Sequence, residues 1–480
     1  MTTIDQLSSS ASKRSWLVDP AKIAGSIIWL GGGFLALLVG SGGSQTDVRR
    51  AGLLLSLLSL ALGLRTFWAH GGRMISAVGV WGFAFALFVG FAGTYTLSSS
   101  AVSPPGMLGA LSAAYFGQIF MWGVFWSYPP QHETQDDWIA DPGVVKWGTT
   151  VGATLLVVSS LLSGRVGEEM NTLVDAAAFV STLLVSTSLL LPRKGVIAAW
   201  RYILPVAAFA AYASFIFAGF GRLTLGTLGL AISILLCKRF PARATKAIVL
   251  SLTIPVLIVM ARTRVEFTAS LNPDQSSSVT GFESLVGPLT WSGELLDRRA
   301  EIPLGWGSTF WASAVSMVPR QFWQEKPVGF GVVLVPILTP ELVGTAQSDL
   351  ALSQAEWLFN FGVVGLVLMV PVLGIYMRKV DAWLTRVSAR PIDTRSRLLS
   401  LVAAIIISAG LADLFWGGTF TYVSRAAPRL IIVGSLLLVS RLGGRRGRPP
   451  AVPPQRKSWP PQGLPGRTRR SVAGHDSPRA

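Results

Sequence analysis

The chain is cut into apolar runs too long for the interior of a soluble domain. Residues 51–64 carry no charge, and no Asp, Glu, Lys or Arg occurs between Met74 and Gln131. A membrane-crossing helix needs about 20 such residues. Twelve segments qualify: 23–41, 51–68, 74–97, 105–127, 146–163, 172–191, 197–218, 223–237, 247–261, 354–376, 398–416 and 427–440. Composition agrees: 51% of residues are hydrophobic and only 14% charged, against about 25% charged in a soluble domain. The sequence therefore predicts an all-α, polytopic integral membrane protein of about 12 transmembrane helices. The run after Lys22 is too long for a signal-peptide core and is expected to stay as an anchor.

Charge then orients the spans. An even number puts both termini on one side. If that side is the cytoplasm, the inner segments hold 29 Lys/Arg and 9 Asp/Glu and the outer segments 12 and 15, summing to the chain's 41 and 24. That is the bias of the positive-inside rule, despite Arg49–Arg50 outside. The expected place is the cytoplasmic (inner) membrane, multi-pass, with membrane lipids as partners. The net charge of +17 thus reports orientation, and no nucleic acid is expected. The organisation expected is a cytoplasmic tail over 1–22, nine helices over 23–261, a large extracytoplasmic loop over 262–353, three helices over 354–440 and a basic tail over 441–480. The tail, rich in Pro and Arg, reads as disordered and suits an anionic leaflet.

Several chemistries are excluded. One cysteine, Cys237, permits no intrachain disulfide and no cysteine metal site; its apolar neighbours make it a packing residue. His70, His132 and His475 form no paired-His motif, and there is no P-loop or GxGxxG. No metal and no cofactor is expected.

A 92-residue loop is usually functional or disordered, and part of this one, Asn272–Ser278, looks flexible. Three constellations in and beside it carry candidate chemistry. Arg262-Thr-Arg264-Val-Glu266 follows span nine. If the helix ends at Ala261, an extended chain points both guanidiniums to one side, where they suit a phosphate; the alternative is a pair of interfacial anchors. Next come Pro303-Leu-Gly305-Trp306-Gly307-Ser-Thr-Phe and Val318-Pro-Arg320-Gln-Phe-Trp323-Gln-Glu-Lys326-Pro327. Here cations stand among aromatics able to stack on sugar rings, or flank a short interfacial helix over Ser308–Val318 stopped by Pro319. Last is Gln354-Ala-Glu356-Trp-Leu-Phe-Asn360-Phe-Gly362-Val-Val-Gly365. Glu356 and Asn360 share a helix face, and a carboxylate at the membrane boundary is a functional candidate or a partner for an Arg. Gly362 and Gly365 suggest close helix packing. Asp413, with Arg425 and Arg429, forms a fourth set able to pair.

In this order the second and third stretches resemble the O-antigen polymerase family, the Wzy-type oligosaccharide repeat-unit polymerases. The likeness covers residues 303–374 and rests on Gly307-Ser-Thr, Pro319-Arg320 through Lys326-Pro327, and Glu356 through Gly365. It implies a metal-independent membrane glycosyltransferase with a GT-C-like architecture. The donor implied is a glycan on undecaprenyl pyrophosphate, and the acceptor is a sugar hydroxyl on a second lipid-linked repeat. A chain-length regulator and a flippase are implied as partners. On this reading Arg262, Arg264 and Arg320 hold the pyrophosphate, with Lys326 assisting. Glu356 serves as base or orienting acid, with Glu266 second, and Trp306, Trp323 and Asn360 line the glycan. The rival readings are an O-antigen ligase, disfavoured because no His falls on the outer side, and a lipid-linked oligosaccharide flippase. A non-enzymatic membrane scaffold is a third alternative.

Overall fold

Helix is the only regular structure among the described residues of the computed structural model, which are 20–100, 102–126, 140–191, 200–216, 222–271, 282–340, 343–344 and 348–444. The expected tails over 1–19 and 445–480 and the Asn272–Ser278 stretch lie outside them. In chain order the helices are α1 (Pro20–Gly40), α2 (Gln45–Ala69), α3 (Ala77–Ser99), α4 (Met107–Phe125), α5 (Pro142–Leu162), α6 (Glu168–Leu190), α7 (Trp200–Ile216) and α8 (Arg222–Leu236). They continue with α9 (Ala242–Leu271), α10 (Glu283–Asp297), α11 (Ser308–Ala314), α12 (Phe330–Leu338), α13 (Ser353–Ser388), α14 (Arg395–Ala409) and α15 (Leu411–Gly444). Eight of these are long and apolar enough to cross a membrane: α2 to α6, α9, α13 and α15. The apolar parts of α1, α7 and α8 are shorter. Each expected span falls on helix, though bounds differ and the span over 398–416 crosses the turn at Gly410 from α14 into α15. Of the connection expected over 417–426 only a break at Gly417–Gly418 is present: the chain turns at Gly410, and α15 resumes after that break and runs on to Gly444.

Close crossings hold the first half of the bundle. A Cβ on Gly63 would stand 2.6 Å from the Gly82 carbonyl oxygen, and one on Gly90 2.5 Å from the backbone of Leu60. Bare backbone at these points lets α2 and α3 touch, so dispersion contacts replace the hydrophobic drive that lipid does not supply. A π turn over Ala86–Phe91 interrupts α3 at this crossing. Trp81, Phe85 and Phe88 of α3 pack around Phe415 of α15, with centroids 4.8 to 6.5 Å apart.

The turn between α2 and α3 is held from both sides. Lys246 of α9 is 1% exposed. Its Nζ donates to the carbonyls of Trp68 and His70 at 3.0 and 2.9 Å, at the end of α2, where helix carbonyls lack internal donors. Asp381 of α13 accepts from the Ala77 amide at 2.9 Å, the matching service at a helix start. Lys246 is thus a buried cap. Lys246→Met is expected to cost about 1–3 kcal/mol, the penalty of buried acceptors left without donors, read as a lower melting temperature in detergent. Cys237 is buried beside it; it packs, as expected.

The long loop is substantially helical. α9 continues ten residues past Ala261, and α10, α11 and α12 fold within the rest. α11 stops at Ala314, short of the Val318 expected from Pro319. A second, smaller apolar core gathers Leu295, Ile302, Phe330, Leu334, Ala351, Leu358 and Phe359. It seats the loop helices against the outer part of α13.

Candidate functional site

Two helices break beside the same carboxylate. α13 breaks at Gly362, with φ 64 and ψ −151. α15 breaks at Gly417–Gly418, where Gly418 has φ 74 and ψ −170. Such dihedrals belong essentially to glycine. The close-packing role expected for Gly362 is not what it does: the nearest atom to a Cβ there is 3.6 Å away, and its backbone conformation is what the site uses. Gly365 accompanies the bend, since a Cβ there would stand 2.2 Å from the Trp357 carbonyl oxygen.

The carbonyls just before the break in α13 dock the loop. Phe359 O accepts from the Gly305 amide and Asn360 O from the Trp306 amide, both at 3.0 Å. The Asn360 side chain completes the clamp. Its Oδ1 accepts from the Gly307 amide at 2.9 Å, and its Nδ2 donates to Thr309 Oγ1 at 2.7 Å and to the Glu356 carbonyl at 2.8 Å. Gly305 must be glycine here, because a Cβ would meet the Phe359 ring at 2.4 Å. Trp306 takes a left-handed φ of 47, which no other described non-glycine residue does, while its side chain is 76% exposed.

Glu356 is the centre. It is 0% exposed. Thr309 Oγ1 donates to Oε1 at 3.0 Å, and the Thr419 amide donates to Oε2 at 2.6 Å. That amide opens the second segment of α15, where a helix start presents unpaired N–H groups and favours an anion. One carboxylate thus joins α11, α13 and α15. Phe310, Trp357 and Phe361 stack beside it with centroids 5.1 to 6.1 Å apart. With both oxygens engaged and no exposure, Glu356 is built to orient rather than to take a proton from a substrate.

The remaining candidates lie apart from this node or are occupied. Arg262 and Arg264 sit on helical backbone, since α9 runs to Leu271. Two residues apart on a helix is about 200° of rotation, so the expected shared face is lost. Arg262 is exposed; the side chains of Arg264 and Glu266 lie outside the described residues. Lys326 donates to the carbonyls of Ser316 and Val318 at 2.8 and 2.9 Å, tying the turn after α11. Arg320 on that turn is exposed and Trp323 half-buried. Asp413 pairs with Arg425 at 2.5 Å. Twelve residues along a straight helix is about 18 Å, so the break between them is what brings the pair together. Arg429 is buried over the Phe179 ring, 3.6 Å from its centroid. Sequence reasoning missed Thr419 and Gly418; the signal was a Gly-Gly pair followed by Thr inside an otherwise apolar segment. Among the described residues no group of three or more His, Cys, Asp or Glu could hold a metal.

By fold this is an all-helical protein of membrane-spanning type, with a buried carboxylate where two helices break beneath a loop. No family model, curated protein or solved structure matches the chain.

Proposed function

We propose that the protein is a membrane glycosyltransferase that polymerises lipid-linked oligosaccharide repeat units into a surface polysaccharide. One observation carries this reading beyond the motif likeness. Two of the three stretches that carry the likeness, the one around Gly307-Ser-Thr and Glu356 through Gly365, are some 50 residues apart in sequence. They are joined in space by hydrogen bonds from Gly305, Trp306, Gly307 and Thr309 to Phe359, Asn360 and Glu356. Motifs that serve one site should meet, and these do.

In this reading an acceptor sugar hydroxyl attacks the anomeric carbon of the donor glycan. The carbon–oxygen bond to the pyrophosphate breaks, and undecaprenyl pyrophosphate leaves with the bonding pair. Fixed positive charge stabilises that leaving group, a role for Arg320 on the exposed turn and for Arg262. Lys326 shapes that turn. Trp306 and Trp323 offer rings to sugar faces, and Glu356 and Asn360 hold the loop in place. Glu266 is the proposed proton acceptor, since Glu356 is engaged at both oxygens. The setting is the outer face of the cytoplasmic membrane, with both chain ends cytoplasmic and twelve crossings.

A flippase is the second reading, favoured by the two discontinuous helices, which in transporters line substrate sites. A deletion strain separates the two. Loss of a polymerase leaves single repeat units at the surface, whereas loss of a flippase removes surface glycan altogether. Arg320→Ala is expected to shorten the glycan to one or a few repeats with protein still in the membrane. Normal chain length in that variant would remove Arg320 from the site.

A further inference from the structure

α11 is built inside out for a helix in water. It buries Thr309, Ala312 and Ser313, at 0%, 0% and 1% exposure, and leaves Trp311 56% exposed. These buried positions lie three and four apart, so small and polar side chains make the inner face. The same inversion continues on either side. Trp306 before the helix is 76% exposed and Phe322 on the turn after it 83%, with Met317 and Val318 at 36% each. An aqueous surface does not gather large apolar side chains in this way without a partner.

The register of the docked loop identifies that partner. The hydrogen bond from the Trp306 amide to the Asn360 carbonyl fixes Trp306 at the level of residue 360 on α13. Just beyond the break at Gly362 the exposed face of α13 begins with Val363, Val364 and Val367, at 68%, 65% and 67%. Leu368, Val372 and Ile375 continue it, each more than 40% exposed. A stripe of exposed valine and leucine on a membrane-length helix faces acyl chains. Trp306 and α11 therefore stand at its upper edge, where Trp and Tyr concentrate at the lipid–water boundary.

We infer that α11 and its flanking turns form a monotopic element seated in the lipid interface of the leaflet on the loop side. Trp311 and Phe322 contact headgroups and upper acyl chains there, and the partner is the bilayer itself. Its inner face then carries Thr309 to Glu356 at headgroup depth. The inference is independent of the polymerase reading, because it concerns only where this face lies.

The test is depth by site-directed spin labelling of the full chain in nanodiscs of phosphatidylethanolamine and phosphatidylglycerol. The background is Cys237→Ser. Trp311→Cys and Phe322→Cys are labelled singly. Val363→Cys is the acyl-chain reference and Glu301→Cys, whose carboxylate is 71% exposed, the aqueous one. The ratio of oxygen to nickel-chelate accessibility is expected to be several-fold above that of Glu301→Cys at both test sites and below that of Val363→Cys. A ratio at either test site equal to the aqueous reference overturns the inference and leaves the aromatic face to sugar stacking. Phe322 lies outside α11, so its label reads depth even where Trp311→Cys perturbs the helix. Neither readout involves glycan, so failure here leaves the polymerase reading standing, and the converse holds.

Discussion

Glu356→Ala is expected to be the most damaging single substitution in the half of the molecule that carries the long loop. It leaves the Thr309 hydroxyl and the Thr419 amide without acceptors and opens a void at a fully buried position. A buried donor left unpaired costs about 1–3 kcal/mol. Two of them, with the void, bring the loss to roughly 3–6 kcal/mol. Such a loss would undock α11 from α13 and α15 together, so glycan chain length should collapse to single repeats. Glu356→Gln separates orientation from charge. Its amide oxygen can accept one of the two bonds, but its NH2 then faces the other donor, for a loss of about 1–3 kcal/mol. Melting of the detergent-purified protein, read beside chain length in cells, checks both. A Glu356→Ala protein that melts with the wild type would remove Glu356 from the centre of the site.

Gly418→Ala should come next, and for two separable reasons. At φ 74 and ψ −170 an alanine sits in a region almost reserved for glycine, at about 1–3 kcal/mol. Its Cβ would also stand 2.6 Å from Glu356 Oε2, so the carboxylate must leave the Thr419 amide. Gly362→Ala isolates the first term, since its backbone is equally unusual but its Cβ meets nothing closer than 3.6 Å. Gly434→Ala is the control: it has open space around it and should gain up to about 1 kcal/mol of helix propensity. The expected order of stability loss is Gly418 above Gly362, with Gly434 at or below zero. On the proposed function, only Gly418→Ala of these three should shorten the glycan as Glu356→Ala does. Equal losses at 418 and 362 would mean that the contact with Glu356 contributes nothing.

The existence of the helices and of the candidate motif was legible in the sequence because both are local. An apolar run of sufficient length specifies helix, and each of the twelve runs falls on helix, though the one over 398–416 is divided by the turn at Gly410. Glu356 and Asn360 fall on one face because i and i+4 always do. Charge bias supplied an orientation, which stays a proposal. Bounds were less legible, because a helix ends where its last carbonyls find partners. α9 ran ten residues past its apolar stretch, and this separated Arg262 from Arg264.

What only the tertiary structure decided is how the polar groups are used. Lys326 read as a cation assisting at a phosphate, yet it donates to backbone carbonyls, and Lys246 donates to two carbonyls more than 170 residues away. Glu356 read as a base or an orienting acid, and a hydroxyl 47 residues before it and an amide 63 residues after it occupy its two oxygens, which favours the second. The Gly-Gly pair that breaks α15 gave no sign of where its freed amide would point. Hydrophobic patterning is a sum over neighbours along the chain and survives without the fold. A hydrogen bond depends on one partner at one distance and angle, and that partner is set only when helices pack.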